Sequence, residues 1–317
     1  MALDRPIGRQ LAHLYRGLQQ VYVETHRILR ELLLWSCFFS YLLPGRLTIQ
    51  IYVGIHNLVE EKKGDKMSVL STVAKPQDRA IIATICGDSG MGKTSLAAQF
   101  PNPIVIRAED GLQSIEYESR PDAFPILKSV DDLWEQLKGL ISDDHNYQTL
   151  VIDSVTALER MFSEHVIASD PKQPKSVNQA LGGYGAGLAA VASLHQRVRK
   201  ACGVMNEKRG MHIVFVAHAD TEVIELPDQD PYTRYKLRLG NKSMAPYVDD
   251  SDLVGFLRLQ TFTTGDGERK KAISDGTREL IAYATAASVS KNRFGIVEPI
   301  EVPMGVNPLV GIVPGFD

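Results

Sequence analysis

Cysteine is scarce: Cys37, Cys86 and Cys202 are the only three in 317 residues. They are too few and too scattered for a disulfide framework or a zinc cluster, and point to a reducing, cytoplasmic setting. A long apolar run is also lacking. The longest, 32–43, is interrupted by Ser36 and Ser40 and falls short of the roughly 20 residues that span a bilayer, so no membrane association is expected. It begins too far from the N-terminus for a signal peptide and has no small-residue cleavage site, which leaves a buried or interfacial helix. Nor is there an excess of charge of one sign. With 35 Lys+Arg against 38 Asp+Glu, the formal net charge of -3 excludes a protein that coats nucleic acid by bulk charge, and any such contact needs a local basic groove. Internal repeats and long low-complexity segments are absent.

What is present is an ordinary globular composition, 44% hydrophobic and 23% charged. Its organisation changes near residue 66. Residues 1–59 are rich in Leu, Tyr, Arg and Ile without a clear turn pattern, and they end in the charged stretch Glu60-Glu61-Lys62-Lys63-Gly64-Asp65-Lys66 before Met67. Codons for Lys63-Gly64-Asp65 can contain AAGGAG, which resembles a bacterial ribosome-binding site a few bases before the Met67 codon. Residues 1–66 are therefore expected to be an extension that is untranslated or poorly ordered. The alternative is a real helical segment followed by a charged linker. Residues 67–317 form the expected domain.

Within that domain, residues 79–86 are a short β-rich apolar run leading into Gly87-Asp88-Ser89-Gly90-Met91-Gly92-Lys93-Thr94-Ser95, and 93–99 reads as a helix stopped at Phe100-Pro101. Strand, glycine-rich loop and helix in this order make an anion nest. Glycines let backbone N–H groups turn inward around phosphates, Lys93 supplies positive charge to the β and γ phosphates, and the Thr94 hydroxyl is a ligand for Mg2+. After a helix expected over 130–142, the apolar strand 149–152 runs into Asp153, placed to hold the magnesium through water. An Asp after an apolar strand is otherwise a helix cap.

Strand 104–107 ends in the acids Glu109 and Asp110, and Glu109 is the candidate to polarise the attacking water, against the alternative of a solvated acidic turn at Asp110-Gly111. Strand 212–217 ends at His218, either a γ-phosphate sensor or a satisfied structural histidine. Strands alternating with helices, with functional residues at carboxyl ends, predict an α/β fold with a mostly parallel twisted sheet and helices on both faces. Further strands are expected at 253–259, 279–283 and 287–290, antiparallel at the sheet edge.

In the order of these elements the chain resembles the RecA-like P-loop ATPases, and more closely those of phages that accompany single-strand annealing proteins. The likeness covers about residues 78–303: the phosphate loop, A-E-D-G-L at 108–112, L-V-I-D-S-V-T-A-L at 150–158, the strand before His218, and S-K-N-R at 290–293. The resemblance implies a water-activating acid at Glu109 and coupling of nucleotide state to a DNA-binding loop at His218, where RecA itself carries glutamine. It also implies basic residues, Lys291 and Arg293, that reach the ATP of a neighbouring subunit in a ring or filament; two solvent-facing cations are the alternative.

By position, two segments match the family's DNA-binding loops. The first, 170–187, carries Lys172, Lys175 and a glycine cluster and precedes a long helix expected over 188–206. The second, 219–243, turns basic and aromatic with Tyr232, Arg234, Lys236, Arg238 and Lys242, suited to phosphate contacts and base stacking; its acidic first half equally suits a solvated surface hairpin. The resulting expectation is an ATP- and Mg2+-dependent, single-stranded-DNA-stimulated ATPase that acts as a homo-oligomer with an annealing or single-strand-binding protein. A nucleotide-switched loader acting on a protein partner and a helicase-like motor are the alternatives. A GTPase is disfavoured because Asn241-Lys242-Ser243-Met244 lacks the aspartate of a guanine-reading N-K-x-D. Tyr117 is the candidate adenine contact.

Overall fold

The computed structural model describes residues 69–264 and 271–316. The chain divides into two units, 1–76 and 77–317. Of the first, the described part holds one 3-10 turn, Val69–Thr72; the expected extension at 1–66 lies outside the described residues.

The second unit is built on β1 (Ile82–Gly87), α1 (Lys93–Ala97), β2 (Pro103–Arg107), β3 (Asp122–Ala123), α2 (Val130–Ser142), β4 (Thr149–Asp153), α3 (Val155–Ser169), α4 (Ala186–Arg209), β5 (His212–Leu226), β6 (Gln229–Leu237), α5 (Asn241–Val248), β7 (Leu253–Leu259), β8 (Phe262–Thr264), β9 (Lys271–Ile273), β10 (Arg278–Ile281), β11 (Lys291–Asn292) and β12 (Ile300–Glu301). The main sheet runs β12-β10-β7-β1-β5-β4-β2-β3, with β11 added to β7 and β6 to β5; β8 and β9 form a separate antiparallel pair. From β7 through β3 every pairing along this order is parallel. The fold is therefore the mostly parallel α/β sheet that the alternation of elements predicts.

The central strands are continuous apolar runs because both faces are covered. In β1, Ile82 and Cys86 face a core made with the long helices, through Leu133 and Leu137 of α2, Leu158 and Phe162 of α3, and Val198 of α4. Ala83 and Ile85 point the other way, into a core closed by Leu96 and Phe100 after the loop and by Leu309, Val313 and Phe316 near the C-terminus. The long helices thus lie on one face, while the other is covered by five-residue α1 and a C-terminal segment without regular helix. Helix α2 begins at a reciprocal cap: Ser129 Oγ accepts from Asp132 N at 3.1 Å and Asp132 Oδ2 accepts from Ser129 N at 3.1 Å.

Two expectations are corrected. Strand β7 is an interior strand, as burial of 253–257 on both faces requires, and it pairs parallel with β1; β10, β11 and β12 make the antiparallel edge. Residues 287–290 form no strand, the pairing being displaced to Lys291–Asn292, with Ser288 bridging Tyr235. Of the two readings open at 219–243, the structure has the surface hairpin: β5 continues past the sheet and pairs with β6, and Lys242 belongs to α5. Among the described residues, no helix is long and apolar enough to cross a membrane.

Candidate functional site

Parallel strands deliver their carboxyl ends to one edge of the sheet, and here that edge carries a cleft of about 820 Å³. The loop after β1 forms its floor, with Ser89, Gly90, Gly92, Lys93, Thr94 and Ser95 on the lining; Gly87, Asp88 and Met91 of the same loop are not part of it. Sterics select Gly87: a Cβ there would sit 2.4 Å from the Leu257 carbonyl oxygen of β7. Lys93 is buried and its Nζ donates to the Asp88 carbonyl at 2.7 Å, so the cation is held against the loop. Burial lowers the Lys93 pKa from its ordinary 10.5 and raises that of Asp153 from 3.8. A site that dry favours an anionic ligand able to stabilise the lysine charge.

Thr94 Oγ1 donates to Asp153 Oδ2 at 2.7 Å, which brings a hydroxyl and a carboxylate together at the loop. The space beside them is kept open by a glycine. A Cβ at Gly111 would lie 2.9 Å from both Asp153 Oδ2 and Thr94 Oγ1. Two hard oxygen donors with room beside them fit Mg2+, which commonly takes one or two protein ligands and completes its octahedron with phosphate and water. The A-E-D-G-L stretch therefore contributes Gly111 as well as Glu109.

Glu109 is positioned from two sides. The Asp153 carbonyl accepts from Ala108 N at 2.7 Å and from Glu109 N at 3.2 Å, tying the end of β2 to that of β4. Its carboxylate Oε1 lies 3.0 Å from His218 Nε2, and the other ring nitrogen is 3.4 Å from Ser89 Oγ of the loop. A tautomer that donates from Nε2 and accepts the Ser89 hydroxyl proton at Nδ1 satisfies both contacts. The hydrogen bond from His218 holds the Glu109 carboxyl below its ordinary 4.5 despite partial burial, leaving an ionised acceptor at neutral pH.

His218 is also the last sheet residue before the projecting hairpin. Its backbone N–H donates to Thr156 Oγ1 at 3.0 Å, and its carbonyl accepts from Arg238 N at 2.8 Å where the hairpin returns.

Other expected site residues lie elsewhere. Lys291 and Arg293 flank the amino-terminal end of β7, opposite to the edge that carries the loop. Lys291 Nζ donates to the Asp249 carbonyl at 2.7 Å, and Arg293 Nη1 is 3.1 Å from Asp252 Oδ1, the acid that also binds Arg79. The sheet places them at the wrong end to serve the cleft of their own chain. On the hairpin, Glu222 takes up two expected cations: Arg234 Nη2 at 2.6 Å and Lys236 Nζ at 3.5 Å. Arg238 Nε donates to the Ala219 carbonyl at 3.1 Å, Tyr232 lies on the hairpin opposite Ile224, and Val223 is exposed. Lys172 and Lys175 belong to the segment between α3 and α4, where Leu181 and Tyr184 are exposed and hold positive φ values of 57° and 50°. Tyr117 is 79% exposed, packs under the Arg120 guanidinium and does not line the cleft.

The cleft has one lining cation that the motifs did not single out, Arg278, together with Gly276 and Met304. Only topology brings β10 beside the loop, and an arginine in an edge strand carries no local signature.

Residues 79–294 match a protein-family model described as an AAA domain. No curated protein matches the chain.

Proposed function

Starting from a chain that belongs to the AAA-domain family, we propose that it hydrolyses ATP with Mg2+ and uses hydrolysis to move the β5–β6 hairpin. The observation that carries this is the continuous path Ser89, His218, Glu109: one histidine bridges the phosphate loop and the candidate base while standing at the root of the hairpin.

Lys93 and the loop amides would bind the β and γ phosphates, and Thr94 and Asp153 would hold Mg2+, which would supply positive charge to offset that of the phosphates. Glu109, kept ionised and oriented by His218, accepts a hydrogen bond from the attacking water and draws off its proton as the terminal phosphoryl group leaves. His218 keeps its proton on Nε2 toward Glu109. Loss of the γ phosphate changes what Ser89 faces, and through His218 it changes the register of the hairpin root.

The RecA-like resemblance supplies the finer reading: single-stranded DNA lies on the 170–187 segment and the hairpin, and subunits assemble so that Lys291 and Arg293 serve the site of a neighbour. Their remoteness from their own cleft supports service in trans. The specific context would be phage-type recombination with an annealing or single-strand-binding partner. A second reading is favoured by the hairpin itself. Glu222 neutralises Arg234 and Lys236, and Val223, Leu226 and Tyr235 are solvent-exposed, a surface suited to a protein partner. ATP hydrolysis by residues 67–317, with Lys93→Ala as the blank, tests the activity. Stimulation by single-stranded DNA that fades at high salt supports the DNA reading, and hydrolysis indifferent to DNA moves the hairpin to the protein-partner reading.

A further inference from the structure

Arg278 begins β10, pairs with Leu259 at the carboxyl end of β7, and reaches over the phosphate loop. Its Nη1 is 3.4 Å from the Met91 carbonyl oxygen and its Nη2 is 3.1 Å from that of Val302. The approach to the loop is so close that a Cβ on Gly92 would overlap Nη1, and Gly92 also has φ +84°. No carboxylate lies within 4.0 Å of this guanidinium among the described residues, unlike Arg79, Arg234, Arg258 and Arg293. Two neutral carbonyls use two of five N–H donors and leave the charge uncompensated at the lining of an anion-binding cleft.

Strand order fixes which end of the ligand it meets. The reacting groups Glu109, Asp153 and His218 come from β2, β4 and β5, on one side of β1, whereas Arg278 comes from β10, on the other side beyond β7. A nucleotide whose γ phosphate points at Glu109 therefore turns its nucleoside end toward Arg278.

Resting on the ATPase reading, we propose that Arg278 is a binding residue for the nucleotide's own diphosphate, gripping it from the nucleoside side and setting how tightly the ADP product is held. It takes no part in γ-phosphoryl transfer. Charge-assisted N–H···O bonds to phosphate are strong and directional, so the guanidinium is suited to this in a way a flexible ammonium is not.

The test is equilibrium binding of fluorescent ADP and of a fluorescent non-hydrolysable ATP analogue to wild type, Arg278→Gln, Arg278→Lys and Glu109→Gln. Arg278→Gln is expected to weaken both ligands by the same factor, about tenfold or more, with partial recovery in Arg278→Lys, while Glu109→Gln binds both as wild type does. Weakening confined to the ATP analogue would assign Arg278 to the γ phosphate and overturn the proposal. Unchanged affinities in a variant with an unchanged melting temperature would leave the arginine as a strap between two carbonyls and overturn it as well. A melting temperature that falls with affinity is resolved by Arg278→Lys, which must restore ADP binding more than it restores stability for the proposal to stand. If wild type binds neither nucleotide, it is the ATPase reading that fails.

Discussion

Two glutamate–histidine pairs stand among the described residues, and they differ in nearly everything except residue type. Glu109 and His218 meet at 3.0 Å at the carboxyl ends of β2 and β5, with side chains 30% and 19% exposed, on the wall of the cleft. Glu159 of α3 and His195 of α4 meet at 2.7 Å inside the helical layer, where the His195 side chain is fully buried. The second pair is surrounded by partners: His195 Nδ1 is 2.7 Å from the Tyr247 hydroxyl, Phe162 packs edge-on against the imidazole, and Glu159 Oε1 accepts from Gly240 N at 3.2 Å. Its carboxylate clamps the end of the hairpin to the helices. The first pair contacts the loop on one side and keeps its open side toward the cleft. Chemistry is assigned to the pair that lines the cleft and structure to the pair enclosed in the core, where Glu159 Oε2 and His195 Nε2 lie close but make no aligned hydrogen bond.

Breaking the cleft and breaking the core should therefore give different symptoms. The largest effect is expected from Gly111→Ala, whose methyl group intrudes on Asp153 Oδ2 and Thr94 Oγ1. Magnesium-dependent kcat/KM should fall by about a thousandfold, roughly 4 kcal/mol, while thermal unfolding without nucleotide changes little. Steady-state hydrolysis over a magnesium titration checks it, and a variant with wild-type activity and wild-type magnesium dependence would place the metal elsewhere. Next comes His195→Ala, which strands Glu159 and empties an aromatic-lined site. A loss of about 3 kcal/mol in chemical denaturation is expected, with the kcat of the folded fraction near wild type. His218→Ala should do the reverse, lowering kcat about tenfold, or ~1.4 kcal/mol, with a melting temperature close to wild type.

The smallest effect is in pH. Burial pushes the Glu159 carboxyl up, but His195, Ser243 and the Gly240 amide outweigh it and hold the pKa below the ordinary 4.5. A depressed folded pKa contributes stability that is present above 4.5 and lost as pH falls through the folded value. The stability gap between wild type and Glu159→Gln should thus narrow by about 1 kcal/mol from pH 6 to pH 3 in urea titrations. A constant gap would mean that the carboxylate is not specifically stabilised.

How much of this was legible in the sequence follows from the range of each signal. The phosphate loop, the strand ending in Asp153 and helix α2 are local patterns, and the structure places them as read, whereas the strand read to stop before His218 runs on to Leu226. The parallel direction of β7 was not legible, because a buried five-residue apolar run fits either direction until its neighbours are known. The hairpin was open between loop and strand, since its outer half mixes Val223, Ile224 and Leu226 with acids and lacks the alternation that marks a half-buried strand. Arg278 was invisible for a different reason: it reaches the cleft from a strand 186 residues after Gly92 in sequence number, through sheet order alone. The core pair had no motif at all, because Glu159 and His195 meet only after α3 and α4 pack.

The most direct test compares the two glutamates in one assay. Single-turnover ATP hydrolysis and nucleotide affinity would be measured for Glu109→Gln and Glu159→Gln, normalised to folded protein. The account predicts that Glu109→Gln cleaves at least a hundredfold more slowly with unchanged affinity, while Glu159→Gln cleaves at nearly the wild-type rate. Equal rates for the two variants would contradict the assignment of the base to Glu109.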